Sequence, residues 1–124
     1  MYSFEKTYNK GAEAIFGELH RKLKEKDMVI LSYIDVKEIF SKMKEDIEPY
    51  YILDVCYPPA AVELIHENVD IGAFIPCKIV IIQKGDKTKV LMPKPSVQSR
   101  EYLGTDGKIA EKYENIIIGV LEEL

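Results

Sequence analysis

The sequence of 124 residues contains no tryptophan and only two histidines and two cysteines. A structural zinc site needs four Cys or His ligands, and the two cysteines, Cys56 and Cys77, do not form a C-x-x-C pair. The chain therefore contains neither a local zinc motif nor a local redox motif. It also lacks any run of the ~20 apolar residues that a membrane-spanning helix requires, so no membrane partner is expected.

A surplus of positive charge is also missing, because the formal net charge is −4. Nucleic-acid binding depends on clustered positive charge that displaces counterions, so no nucleic-acid partner is expected. The glycine-rich phosphate loops, G-x-S-x-G and H-E-x-x-H are absent, which argues against nucleotide hydrolysis, hydride transfer and the common hydrolases. No basic segment followed by an apolar one opens the chain, and the expected compartment is the cytoplasm.

The composition that is present, 47% hydrophobic and 31% charged, is typical of a globular protein and predicts one domain over residues 1–124. Hydrophobic periodicity predicts the order β-α-β-α-β-α-β-β-α. This order indicates an α/β (α+β) fold, with a mixed β-sheet of about five strands and helices packed on it.

Four segments carry more specific expectations. The nearly continuous apolar run 28–34 predicts a strand that is buried on both faces. Asp35, with Glu38 three residues later, predicts the start of a helix whose buried seam is Val36, Ile39, Phe40 and Met43. The polar segment 94–104 is expected to be irregular, either a flap or part of an interface. The dense apolar positions of the last helix, which Thr105-Asp106 can cap, predict burial in the core or in a subunit interface.

The region 50–83 contains both cysteines and is the expected functional site. Cys56 ends a predicted strand just before a helix that has Pro59 in its first turn. A helix N-terminus lowers the pKa of a nearby thiol, so Cys56 is the candidate catalytic nucleophile. The alternative is that Cys56 and Cys77 are small buried hydrophobes. If their strands meet, the two cysteines can share a metal, a persulfide or a reversible disulfide.

Three neighbouring features are also open to more than one interpretation. Asp54 shares the strand face of Cys56, where a carboxylate would raise the thiol pKa, so Asp54 is expected to pair with Lys78 or Arg100. His66 is either a general base for Cys56 or an exposed residue near a helix end. Asp70-Ile71-Gly72 forms a turn in which Gly72 adopts positive φ, or it lines a pocket.

Several of these residues recur together in a known pattern. The pattern comprises Ile34-Asp35-Val36, Pro49-Tyr50, Ile52-Leu53, Cys56 with a following Pro, Asp70-Ile71-Gly72, Ile75-Pro76-Cys77 and Val80-Ile81. With it, nearly the whole chain resembles the domain of unknown function 302 family. The resemblance implies a compact α/β domain that is often dimeric, and no established reaction. Asp54 and Tyr57 stand where the family often has Gly and Asn, which places charge and bulk beside the implied site.

Three functions are compatible with these observations. The first is a homodimeric binding module whose pocket, around Cys56, Pro59, Asp70, Gly72 and Cys77, takes an anion, a metal or a sulfur species. The second is a thiol-dependent enzyme or redox protein that uses Cys56. The third is an interaction protein with structural cysteines.

Overall fold

The computed structural model describes residues 1–124, which form five strands, five α-helices, a 3-10 helix and a π-helical turn. The strands are β1 (Ser3–Tyr8), β2 (Val29–Asp35), β3 (Tyr50–Cys56), β4 (Cys77–Lys84) and β5 (Lys87–Pro93). The α-helices are α1 (Ala12–Glu25), α2 (Val36–Lys42), α3 (Pro58–Glu67), α4 (Pro95–Gln98) and α5 (Lys108–Glu122). The 3-10 helix is Val69–Ala73, and the π-helical turn is Ser99–Leu103.

The strands form one sheet in the order β1-β5-β4-β3-β2. The predicted α+β class and the five strands are confirmed, but the expected mixture of strand directions is wrong, because every neighbouring pair is antiparallel. The helices α2 and α3 each connect adjacent strands and return the chain in the opposite direction. The helix α1 connects β1 to β2, which run parallel to each other. These two strands lie at opposite edges of the sheet and therefore do not pair.

One face of the sheet, packed against α1 and α5, forms the main core. Fully buried side chains from the central strands meet fully buried side chains from these two helices. The strands contribute Leu53, Val55, Ile79, Ile81, Val90 and Met92, and the helices contribute Ile15, Leu19, Leu23, Ile117, Val120 and Leu121. The helical spacing of the apolar residues in α1 and α5 produces this single buried stripe on each helix. No helix of the protein combines the length and apolar character needed to cross a membrane.

The opposite face, called the open face below, is incompletely covered. The cross-strand register aligns four apolar side chains along it, namely Ile34, Ile52, Val80 and Leu91. None of the four is fully buried. The helix α2 lies at one end of this face, where a groove of about 550 Å³ separates it from β3 and β4.

The strand β2 and the helix α2 are much more exposed than the sequence predicted. β2 is an edge strand, with Leu31 58% and Tyr33 56% exposed, so the prediction of burial on both faces is wrong. Its ladder with β3 shifts register between Ile30 and Ser32, which leaves Leu31 as a bulge.

The buried seam predicted for α2 is also wrong, because this helix has no buried residue. The predicted cap at its start is confirmed, since the Glu38 N–H donates to Asp35 Oδ1 at 3.0 Å.

The segment 94–104 is helical, which corrects the expectation of an irregular flap. It contains α4 and the π-helical turn, and Pro95, Ser96 and Ser99 within it are buried. The cap predicted at Thr105-Asp106 is wrong in position, because Gly107 is the N-cap residue of α5 and makes no side-chain cap hydrogen bond. Asp106, one residue earlier, accepts a hydrogen bond from the Lys108 N–H at 3.0 Å. This segment therefore packs against α5 as part of the folded body.

Candidate functional site

A cavity of about 270 Å³ lies at one end of the sheet, where β3 ends and β4 begins. Of its 18 lining residues, 14 are hydrophobic. They come from β3, α3, the segment that leads into β4, and α5, with Met28 and Leu31 from the chain around the start of β2. Three of the predicted ligand-binding residues, Cys56, Gly72 and Cys77, line this cavity.

Small side chains create this space. Ala60, Ala61 and Ala110 line the cavity from α3 and α5, and Gly72 lines it from the 3-10 helix. Larger residues at these positions would fill the gap, since protein interiors are normally packed to crystal-like density. The sequence P-P-A-A therefore places two small residues directly after the strand that carries Cys56.

Both cysteines line the cavity, and both are free thiols. In the β3–β4 ladder Cys77 lies opposite Val55, so Cys56 and Cys77 occupy adjacent positions. Burial raises the pKa of Cys56. Burial, with smaller contributions from Glu114 and Cys56, raises the pKa of Cys77 to about 12. Both thiols are therefore protonated at neutral pH.

The N-terminus of α3 explains why the lowered thiol pKa considered from the sequence is not found. Pro58 and Pro59 occupy the first turn of the helix, and proline has no N–H. The next N–H, that of Ala60, donates to the Tyr57 carbonyl at 2.9 Å. The first turn of this helix thus offers no free donor that could stabilise a thiolate at Cys56.

The only charged side chain in the cavity wall is Glu114 of α5, which is 3% exposed. Its Oε1 accepts a hydrogen bond from the Ser96 N–H at 2.9 Å, and its Oε2 accepts one from the Ser96 hydroxyl. This carboxylate therefore holds the start of α4 against α5, and each of its oxygens already accepts one hydrogen bond.

The rim of the cavity is partly aromatic. The rings of Tyr57 and Tyr113 lie 5.4 Å apart between centroids, and the Tyr113 hydroxyl donates to Glu63 at 2.8 Å. Two further residues of the wall, Leu31 and Ile65, are 58% and 45% exposed. The cavity therefore reaches solvent through an apolar opening.

The structure brings only some of the predicted ligand-binding residues together. Cys56, Gly72 and Cys77 line the cavity, whereas Pro59 and Asp70 are exposed and do not. The Asp70 N–H donates to Asn68 Oδ1 at 2.9 Å, as part of the 3-10 helix. The expectation that Gly72 adopts positive φ is wrong, because the glycines with positive φ lie elsewhere in the chain.

The predicted partners of the cysteines are arranged differently. Asp54 pairs with Lys78 at 3.4 Å and accepts a hydrogen bond from the Ser32 hydroxyl at 3.0 Å, which confirms its expected partner. His66 is exposed and does not line the cavity. The Cys–His pair considered from the sequence is therefore not assembled here.

Sequence reasoning missed Ser96 and Glu114. A signal for Glu114 was present, because Ala110, Glu114, Ile117 and Leu121 follow helical spacing and all four are buried. A single carboxylate within an apolar stripe indicates a specific buried partner. Ser96 gave no such signal, since its neighbours in sequence resemble a polar loop.

The cavity has no metal-binding cluster. No group of three or more His, Cys, Asp or Glu side chains in the protein is placed to hold a metal ion. No lysine, arginine or histidine lines the cavity either. Its chemistry is therefore that of an apolar pocket with two protonated thiols.

The chain was compared with known proteins. Residues 4–124 match the family model described as domain of unknown function DUF302. The crystal structure of an uncharacterized conserved DUF302 protein from Bacillus stearothermophilus is similar, with a TM-score of 0.89 and 28% sequence identity. The match covers 98% of this chain and 97% of that one. No curated protein matches this chain. The match over nearly the full length confirms the resemblance: the chain belongs to the DUF302 family.

Proposed function

We propose that residues 1–124 act as one homodimeric binding domain that holds a small ligand in the cavity beside Cys56 and Cys77. The observation that carries this proposal is the cavity itself, which is apolar, opens to solvent and is lined by small residues from two helices. Ligand sites in proteins are typically concave and largely apolar, with a few polar groups.

The size of the cavity favours a binding role over a packing defect. Well-packed interiors leave few voids larger than a water molecule. An apolar cavity of roughly 150 Å³ is already large enough for benzene. At about 270 Å³, this cavity is well above that size.

Thiol-dependent catalysis at Cys56 has less support. A nucleophilic cysteine reacts as the thiolate, which requires a lowered pKa or an adjacent base. The pKa of Cys56 is raised by burial, and no histidine lines the cavity. Binding is therefore the function that these residues favour.

The second part of the proposal, the homodimer, is based on the open face. Single copies of a protein rarely expose large continuous apolar patches. Here the row Ile34, Ile52, Val80 and Leu91 adjoins α2, because Val36 and Phe40 of α2 line the same groove as Ile52, and Phe40 is 38% exposed.

A second copy is the occupant that suits this surface. A two-fold axis through the row places each apolar side chain against the same patch of the other copy, as in isologous dimers. Beside the row, Asp54 and Lys78 already form an ion pair with each other. The row itself contains no charged residue, and Glu5, which lies beside Leu91 in the register, marks its end at β1.

Native mass spectrometry of protein purified without oxygen tests the binding role, with Ala61→Phe to fill the cavity. The control is Ala14→Phe, which makes the same change at an exposed position of α1. We expect a small-molecule adduct on the wild type and on Ala14→Phe but not on Ala61→Phe. Identical masses without adduct in all three proteins would contradict the binding role.

A further inference from the structure

The chemistry of the cavity wall restricts what can bind there, if the proposed binding role holds. An anion entering this cavity meets no positively charged side chain and no free N–H from the first turn of α3. It meets the carboxylate of Glu114 instead. Burying an unpaired charge carries a large free-energy penalty, so the wall disfavours anions.

Cations are disfavoured for a different reason. No group of three or more His, Cys, Asp or Glu side chains in the protein is placed to hold a metal ion. A metal ion would also have to displace the protons of both thiols, which burial makes harder because it raises their pKa values. An organic cation finds a single carboxylate, that of Glu114, and each of its oxygens already accepts a hydrogen bond from Ser96.

The remaining features describe a ligand of low polarity. The wall is mostly hydrocarbon, and the Tyr113 hydroxyl on the rim is already bonded to Glu63. The half-buried Cys56 thiol can make one weak hydrogen bond to a ligand on its side of the cavity. The volume of about 270 Å³ exceeds the volume that a single aromatic ring requires.

We infer that the cavity takes an uncharged, mainly apolar molecule of about the size of two fused rings, not an anion, a metal ion or a thiolate-bound sulfur species. This inference rests on the proposed binding role. It names the class of ligand and accounts for the small residues of α3 and α5 as the determinants of cavity size.

Three probes of one shape and different charge test the inference. They are 2-naphthol (uncharged), naphthalene-2-sulfonate (an anion) and 2-naphthylmethylammonium (a cation), each titrated into ¹⁵N-labelled protein at neutral pH. We expect 2-naphthol to bind at least about tenfold more tightly than either ion, because each ion must lose its hydration, the anion gains no positive partner, and the cation gains only a carboxylate that is already hydrogen-bonded. The amide signals of Cys56 and Cys77 should shift with it.

The variants Ala61→Phe and Ala14→Phe locate the binding. Ala61→Phe should weaken 2-naphthol binding at least about tenfold by occupying the space, and Ala14→Phe should leave it unchanged. If Ala61→Phe does not fold, Ala61→Ile makes the same test with a smaller side chain.

The outcomes separate this inference from the proposed function. If an ion binds as tightly as 2-naphthol, and Ala61→Phe abolishes that binding, the inference is wrong and the binding role stands. If 2-naphthol binds equally well to Ala61→Phe, it binds elsewhere and the inference is wrong. If no probe binds in an Ala61-dependent way, both the inference and the binding role are contradicted.

Discussion

Cys77 shows how a residue's surroundings decide its chemistry. It stands at the first position of β4, beside a buried carboxylate and a second thiol. Each of these surroundings disfavours the thiolate, since burial removes water and the neighbouring negative charges repel another one. The residue type alone would have allowed a reactive site, and the environment makes it an unreactive one.

This environment predicts slow alkylation of Cys77 in the Cys56→Ser variant. Burial, the largest cause of the raised pKa of Cys77, is retained in this variant, so the thiolate fraction at pH 7 should be far below that of an exposed cysteine. The rate with iodoacetamide should keep increasing with pH over the whole range in which the protein stays folded, as the thiolate forms. Peptide mass spectrometry at several pH values measures it.

Glutathione under the same conditions is the reference for that rate. A Cys77 that reacts as fast as glutathione at pH 7 would contradict the protonated, buried state. The variant Cys77→Ser, which retains Cys56, should react faster than Cys56→Ser, because Cys56 is the more accessible of the two thiols.

At the scale of elements, α4 depends on a contact from far along the chain. The segment contains prolines and serines and looks like a loop in sequence, yet Ser96 is 1% exposed and bonded to Glu114 of α5. Directly before α5, Gly107 has φ of +70°, and a Cβ there would lie 2.7 Å from the Ser96 carbonyl oxygen. The two helices therefore approach closely around one buried carboxylate.

We expect Glu114→Ala to destabilise the protein by about 2–4 kcal/mol, because the Ser96 N–H and hydroxyl lose their acceptors in a buried site. Glu114→Gln should cost less, since its amide oxygen retains one acceptor. Urea unfolding monitored by circular dichroism measures both.

The matched control for this prediction is Glu111→Ala on the exposed side of the same helix. Its partner Arg100 lies 3.5 Å away and both side chains are solvent-accessible, so the change should be within about 0.5 kcal/mol. Equal unfolding midpoints for Glu114→Ala and Glu111→Ala would show that the buried contact does not stabilise the fold.

Elements whose signals are local were predictable from the sequence. The helical spacing of α1 and the cap at Asp35 both depend on residues a few positions apart. Local pattern was therefore sufficient for the order of elements outside the segment 94–104 and for three of the five predicted ligand-binding residues, Cys56, Gly72 and Cys77.

The remaining features depend on contacts that local pattern does not encode. The sequence of an apolar strand such as β2 is the same whether the strand is central or at an edge. Only the order of the strands in the sheet distinguishes the two positions. The Glu114 carboxylate is hydrogen-bonded because Ser96, 18 positions away in the sequence, lies next to it. Strand direction likewise depends on how each helix returns the chain.

For the whole molecule, the two faces of the sheet have different partners. One face is sealed by α1 and α5, and the open face carries a row of partly exposed apolar side chains. The proposed dimer pairs this face with its copy. That arrangement would bury the apolar surface that the sequence analysis assigned to the core of a single chain.

We expect Val80→Lys to convert the dimer to a monomer, because it places an uncompensated charge in the middle of the apolar row. Ala14→Lys, at an exposed position of α1 on the other side of the sheet, should leave the dimer intact. Sedimentation velocity measures the mass of each, and circular dichroism checks that both fold. A wild type that is monomeric, or a Val80→Lys protein that remains dimeric, would contradict this interface.

The bulge at Leu31 has a consequence for solubility. β2 is an apolar edge strand, and an uninterrupted edge of this kind can pair edge to edge with strands of other chains and form fibrils. The register shift between Ile30 and Ser32 breaks the regular spacing that an added strand would need. The same irregularity that turns Leu31 toward the cavity thus protects the chain from aggregation.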